Sequence, residues 1–238
     1  MNEKKTALVT GANKGIGFAI AAGLGAIGFT VAVGARDDKR REDAVEQLRA
    51  AGFDAFGVAL DVTSEHSVAA AAAAIEQTTG RLDVLVNNAG IAGPTDDGAQ
   101  VPSTLDLDAV STVLDTNVFG VVRVTNAMLP LLRQADAPRI VNMSSNMGSL
   151  TLQTGPMLAA YSSSKTMLNS MTALYAREFV DTPIIVNSAC PGYVATDFTG
   201  FNSPRTPEQG AAIAVQLATL PYDGPRGGFF DDNGAVPW

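Results

Sequence analysis

Short apolar runs recur along this chain at regular intervals, and between them lie longer segments of helical character. The runs are Thr6 to Thr10, Thr30 to Gly34, Asp54 to Ala59, Leu82 to Asn87, Arg139 to Met143 and Ile184 to Ala189. The helical segments are Ile16 to Ile27, Arg40 to Ala51, Ser64 to Thr79, Leu105 to Arg133 and Ala159 to Val180, the fourth reading as two pieces that meet near Asn117. Runs without polar alternation are strands buried on both faces, which requires helices on each side of a parallel sheet. The expected fold is therefore α/β: one doubly wound, Rossmann-like domain over residues 1–238, with its ligand site at the carboxyl ends of the strands.

The totals narrow the partners. A formal net charge of -8 argues against a nucleic-acid groove or an anionic membrane surface. No window approaches the roughly 18 apolar residues of a membrane span, and Met1 to Lys5 is polar, without the apolar core of a signal segment. Cys190 is the single cysteine, which excludes an intrachain disulfide and fits a reducing compartment, with cytoplasm as the expected location. It reads as a small apolar core residue. His66, beside Glu65 at a helix start, has no metal-ligand spacing around it, so no metal is expected.

The first strand runs into Gly11-Ala12-Asn13-Lys14-Gly15-Ile16-Gly17, which opens a helix. Such a turn aims free N–H groups at a pyrophosphate, although its G-x-x-x-G-x-G spacing differs from the usual G-x-G-x-x-G and glycines also serve close packing. Arg36 follows the second strand, where a cation can pair with a 2′-phosphate and an acid would bind ribose hydroxyls. With Lys14 as a second cation beside it, Arg36 points to NADPH. Asp37 is the counterweight, since facing the ribose it would admit NADH. The alternative for Arg36 is a solvated charge at a helix start.

Tyr161 and Lys165 lie one helical turn apart in Ala159-Ala160-Tyr161-Ser162-Ser163-Ser164-Lys165. A phenol titrates near pH ~10 and needs help to do proton chemistry at neutrality. A lysine ammonium at that spacing favours the phenolate and would lower its pKa. Tyrosine and lysine also meet this way on ordinary helices. The three serines between them are small enough for a helix pressed against a cofactor.

These segments, with Asn87-Asn88-Ala89-Gly90, Tyr161-x-x-x-Lys165 and Pro191-Gly192 in order along nearly the whole chain, resemble the short-chain dehydrogenase/reductase family. The Asn-Lys-Gly-Ile-Gly and Ala-Arg-Asp pairing and the ending Gly228-Phe229-Phe230 to Trp238 are most like NADPH-dependent carbonyl reductases. The resemblance implies a catalytic tetrad of Asn117, Ser145, Tyr161 and Lys165. Ser145 would hold the carbonyl oxygen, Tyr161 would protonate it, Lys165 would also bind the nicotinamide ribose, and Asn117 would hold a water that resupplies the proton. It further implies cofactor contacts from Gly11, Asn13, Lys14, Gly15, Ile16, Gly17, Arg36, Asp61 and Val62 (flanking the adenine), Asn88, Ala89, Gly90, Pro191, Gly192, Val194 and Thr196. Ser145 and Tyr161 are sixteen positions apart, a wider gap than in many members, and Ser144 competes with Ser145 for the role. Relatives often assemble through long helices such as 105–133 and 159–180, though some are monomers, so a homo-oligomer is open.

The loops Ala92 to Thr104 and Asp197 to Thr206 follow strands and suit mobile lids. Met147, Leu150, Leu152, Met157 and Leu158 read either as an apolar substrate wall or as core. The activity expected is NADPH-dependent reduction of a ketone or aldehyde. An NAD-linked alcohol or hydroxysteroid dehydrogenase, and an NADPH-binding sensor without turnover, are the alternatives.

Overall fold

The computed structural model describes residues 4–95, 100–152 and 156–238. Six parallel strands form in the expected places: β1 (Thr6–Thr10), β2 (Thr30–Ala35), β3 (Ala55–Ala59), β4 (Val84–Asn87), β5 (Arg139–Met143) and β6 (Ile185–Ala189). They belong to one sheet of order β3-β2-β1-β4-β5-β6-β7-β8, in which β7 (Phe229–Asp231) joins β6 in parallel and β8 (Gly234–Ala235) folds back antiparallel on β7. The chain order reverses between β1 and β4; β2 and β4 flank β1, both pairing in parallel along its Ala7, Leu8 and Val9. That reversal opens the crevice where doubly wound sheets take ligands.

Alternate residues of each strand feed opposite cores. Ala7, Val9, Val31, Val33 and Val86 pack with α1 (Gly15–Ala26), α2 (Asp38–Ala50) and α7 (Pro207–Ala218). Leu8, Ala32, Val58, Leu85, Ile140 and Val186 pack with α3 (Glu65–Thr79), α5 (Gly120–Leu132) and α6 (Ala159–Glu178). Burying both faces explains the absence of polar alternation in the strands. The stretch expected as Leu105 to Arg133 begins at Leu107 and splits into α4 (Leu107–Leu114) and α5, joined by a π turn over Asp115–Phe119 that contains Asn117. Single π turns in long helices often mark functional positions. No helix among the described residues is long and apolar enough to cross a membrane.

Three elements went unread in the sequence: α7, β7 and β8. The start of α7 does carry a signal, a capping box in which Thr206 accepts from the Gln209 N–H while Gln209 reaches back, with Pro207 in the first turn. The two terminal strands are only three and two residues long and have no periodicity to read.

Candidate active site

The glycine turn between β1 and α1 is shaped by close approach. Gly11 and Gly15 have φ of +64° and +56°, and a Cβ on Gly17 would lie 2.4 Å from both the Asn88 Nδ2 and the Gly11 carbonyl oxygen. Thr10 straps the neighbouring loop to this turn, its hydroxyl accepting from the N–H groups of Asn88 and Ala89 at 2.9 Å each. Asn88 donates back to the Thr10 carbonyl at 2.9 Å. The N-termini of α2, α3, α4 and α7 are capped by the side chains of Asp37, Ser64, Asp106 and Thr206. At α1 the N-cap is Lys14, which makes no capping bond. The first N–H groups of α1 therefore face the crevice without a side-chain acceptor, the arrangement that receives a pyrophosphate.

At the end of β2, Arg36 is exposed and makes no hydrogen bond or ion pair among the described residues; it faces the Asp61 carboxylate closely enough to hold that group below the ordinary carboxylate range, after the larger effect of Thr63. Asp37 is engaged elsewhere, its carboxylate accepting the Arg40 N–H at 2.9 Å as the cap of α2. Asp61 is likewise occupied, by the Thr63 N–H and hydroxyl at 3.0 and 2.7 Å, and Val62 packs against Gly120, so close that a Cβ there would meet it at 2.8 Å. The Lys14 ammonium is paired with Asp197, from the loop after β6. Thr196, the residue before, approaches Gly15. Gly192, at φ +75°, and Pro191 are held by Arg205, which donates to the Pro191 carbonyl at 2.8 Å, while Val194 packs over Gly210.

Asn117, Ser145, Tyr161 and Lys165 come together at the carboxyl end of β5. Lys165 is buried; its Nζ donates to the Met143 carbonyl at 2.7 Å and lies 5.6 Å from the Tyr161 ring centroid. The Ser145 hydroxyl donates to the Asn146 Oδ1 at 3.2 Å and lies close enough to the Tyr161 phenol to oppose the effect of burial on it. The neighbouring Ser144 is buried, and its hydroxyl has no hydrogen-bond partner among the described residues. Gly90 completes the group, since a Cβ on it would sit 3.2 Å from the Asn117 Oδ1 and 3.6 Å from the Lys165 Nζ.

The Asn117 amide accepts the Ile91 N–H at 2.8 Å and donates to the Ile91 carbonyl at 2.9 Å and to Ser164 at 3.0 Å. Its side chain thus braces the loop after β4 against α6 through the π turn. One expectation is corrected here, that Lys165 draws the phenol down: burial pushes Tyr161 up to about 12, with Ser145 offsetting only part. The same burial lowers Lys165 to about 8. For both groups the loss of solvation is the largest cause.

The apolar side chains after β5 are settled as surface rather than core: Leu150, Leu152 and Met157 are exposed and Met147 and Leu158 half-buried. Phe198 tilts against the Tyr161 ring, with centroids 5.0 Å apart. Part of the 92–104 loop falls outside the described residues.

Several positioning residues escaped sequence reasoning. Gln100, fully buried, accepts from the Tyr161 N–H at 3.2 Å and donates to the Ala92 and Pro94 carbonyls at 2.8 Å, so it caps α6 from the preceding loop. Beneath the site Asn87 donates to Asn142 at 2.9 Å, Asn142 to Thr172 at 2.9 Å, and Ser188 to Thr172 at 2.8 Å, a buried chain linking β4, β5, β6 and α6. The signal was present as asparagines inside otherwise apolar strands. Cys190, assigned no role, lies close enough to raise the Tyr161 pKa slightly.

The family model for the short chain dehydrogenase matches residues 5–206. The chain is 35% identical to "Short-chain dehydrogenase/reductase 1" of Saponaria officinalis, covering 99% of this chain and 97% of that one. It is 33% identical to "Carbonyl reductase [NADPH] 1" of Rattus norvegicus, over 100% and 99%. The structure of salutaridine reductase from Papaver somniferum superposes with a TM-score of 0.85 at 30% identity, covering 96% of this chain and 100% of that one. With a matching family model and relatives at 33–35% identity over nearly the whole chain, the chain belongs to the short-chain dehydrogenase/reductase family, oxidoreductases that bind a nicotinamide cofactor.

Proposed function

We propose that this protein is an NADPH-dependent carbonyl reductase that converts a ketone or aldehyde to an alcohol with Tyr161 as proton donor. The observation that carries the reading is the Tyr161 phenol, beside Ser145 and kept protonated by burial, one helical turn from Lys165, whose Nζ lies 5.6 Å from its ring centroid. A reduction needs an acid in place, and a phenol near 12 is fully protonated at neutral pH.

The residues of the glycine turn fit a dinucleotide: Gly11, Asn13, Gly15, Ile16 and Gly17 would line the pyrophosphate, and the uncapped N-terminus of α1 would receive its charge. Arg36, exposed and without a hydrogen bond or ion pair among the described residues, would take the 2′-phosphate with Lys14, and the use of Asp37 as a helix cap occupies the acid that would favour NADH. Asn88, Ala89, Gly90, Pro191, Gly192, Val194 and Thr196 would line the remaining wall, with Asp61 and Val62 toward the base. When bound, NADPH supplies the hydride. As negative charge grows on the carbonyl oxygen, Ser145 donates to it and Tyr161 transfers its proton. Lys165 holds a positive charge beside the phenol and stabilises the tyrosinate left behind. Asn117 fixes the loop after β4 against α6 and so holds Lys165 and Gly90 in register.

The relative named as a carbonyl reductase using NADPH supports the same reading. The exposed apolar side chains Leu150, Leu152, Met157 and Phe198 around the mouth favour an apolar substrate face. The test is NADPH consumption by the purified protein with activated ketones, aldehydes and α-dicarbonyls, beside NADH. Turnover with NADPH well above NADH is the expected result. NADH turnover equal to it would move the reading to an NAD-linked dehydrogenase, and tight NADPH binding without turnover on any carbonyl would move it to a sensor.

A further inference from the structure

The Lys14 side chain is committed before any cofactor arrives. The Lys14 backbone is extended at the end of the glycine turn, and its side chain reaches Asp197, 183 residues on, where the two charged groups form an ion pair with side chains 55% and 53% exposed. The two partners differ in freedom. Asp197 opens the short helical turn Asp197–Thr199, which is fixed by reciprocal bonds between Thr196 and Thr199 and by the Thr199 hydroxyl donating to the Val194 carbonyl at 2.6 Å. The lysine stem is flexible and can swing. An exposed ion pair of this kind is weak, whereas a phosphate carries nearly two charges and three acceptor oxygens.

We propose that Asp197 sets the affinity for NADPH and NADP+ by competing with the 2′-phosphate for the Lys14 ammonium. This rests on the NADPH reading above. The phosphate takes the ammonium on binding, and Asp197 takes it back on departure. Asp197 thus weakens the hold on any 2′-phosphorylated cofactor and hastens release of NADP+ after each turnover. A cofactor lacking that phosphate leaves the pair intact and gains or loses nothing by it.

The test uses the full-length protein, Asp197→Asn, Lys14→Met and the double variant, with dissociation constants for NADPH, NADP+ and NADH and the NADP+ dissociation rate by stopped flow. Asp197→Asn should tighten NADPH and NADP+ roughly two- to fivefold, the range open to an exposed pair, and slow NADP+ dissociation by a similar factor. NADH should not change, and in the Lys14→Met background the substitution should no longer separate NADPH from NADH. Equal tightening of NADPH and NADH would overturn the proposal, because it would report only the loss of a negative charge from the crevice. No change in either would also overturn it. A wild-type protein that binds NADH as tightly as NADPH would overturn the cofactor reading itself, independently of the variant.

Discussion

Replacing Lys165 with methionine separates its chemistry from its cost to the fold. The folded protein holds this lysine at about 8 through burial, against an ordinary value of 10.5. Between those pH values the unfolded chain binds the proton that the folded one has released, so stability rises with pH across the window. Below pH 8 the penalty is fully present, about 3 kcal/mol for a shift of that size, and by pH 10 it falls below about 1 kcal/mol. Lys165→Met removes the ionised group but strips the Met143 carbonyl of a donor at 2.7 Å, which costs about 1–3 kcal/mol at every pH. The absolute stability change at pH 7 is therefore small, and the informative quantity is its pH dependence. Urea unfolding of both proteins at pH 7, 8, 9 and 10 should show the variant losing about 2–3 kcal/mol relative to wild type as pH rises, alongside a loss of turnover at all pH values. Tyr161 titrates higher in both proteins and cancels from the difference. Stability curves that stay parallel from pH 7 to 10 would refute the idea that burial holds this ammonium near neutrality.

Arg36→Asp should weaken NADPH by on the order of tenfold or more while sparing or improving NADH, read from the ratio of kcat/KM values; an unchanged ratio would remove Arg36 from the phosphate site. Gly17→Ala places a methyl 2.4 Å from Asn88 and the Gly11 carbonyl, so it should cost about 1–3 kcal/mol in thermal unfolding and weaken cofactor binding further, as measured by titration. Gln100→Ala leaves the Tyr161 N–H and the Ala92 and Pro94 carbonyls without their partner; stability should drop by roughly 2–4 kcal/mol, and kcat should fall with the NADPH dissociation constant little changed.

The sequence disclosed most of the sheet because the parallel strands are buried on both faces, and continuous apolar runs such as Thr6 to Thr10 are what that environment selects. β7 and β8 were invisible because strands of three and two residues owe their pairing to the neighbouring strand rather than to any pattern of their own. The site was legible where a residue type is tied to one backbone demand, as with Gly17 against Asn88, or to a fixed helical spacing, as with Tyr161 and Lys165. What escaped depends on long-range contact. Nothing near Gln100 in sequence says that it caps the helix of Tyr161, and nothing near Lys14 says that Asp197 lies across the crevice. The direction of the Tyr161 shift was misjudged for the same reason: spacing gives the neighbour's charge, but only the packed structure gives the loss of water around both groups.

The central claim is that Tyr161 delivers the proton, and single-turnover oxidation of bound NADPH by a carbonyl substrate tests it most directly. Tyr161→Phe, compared with wild type at saturating NADPH, should bind the cofactor with little change and slow the single turnover by about 10²-fold or more, the range for loss of a general acid. A variant that turns over within a few-fold of wild type would show that the proton comes from elsewhere.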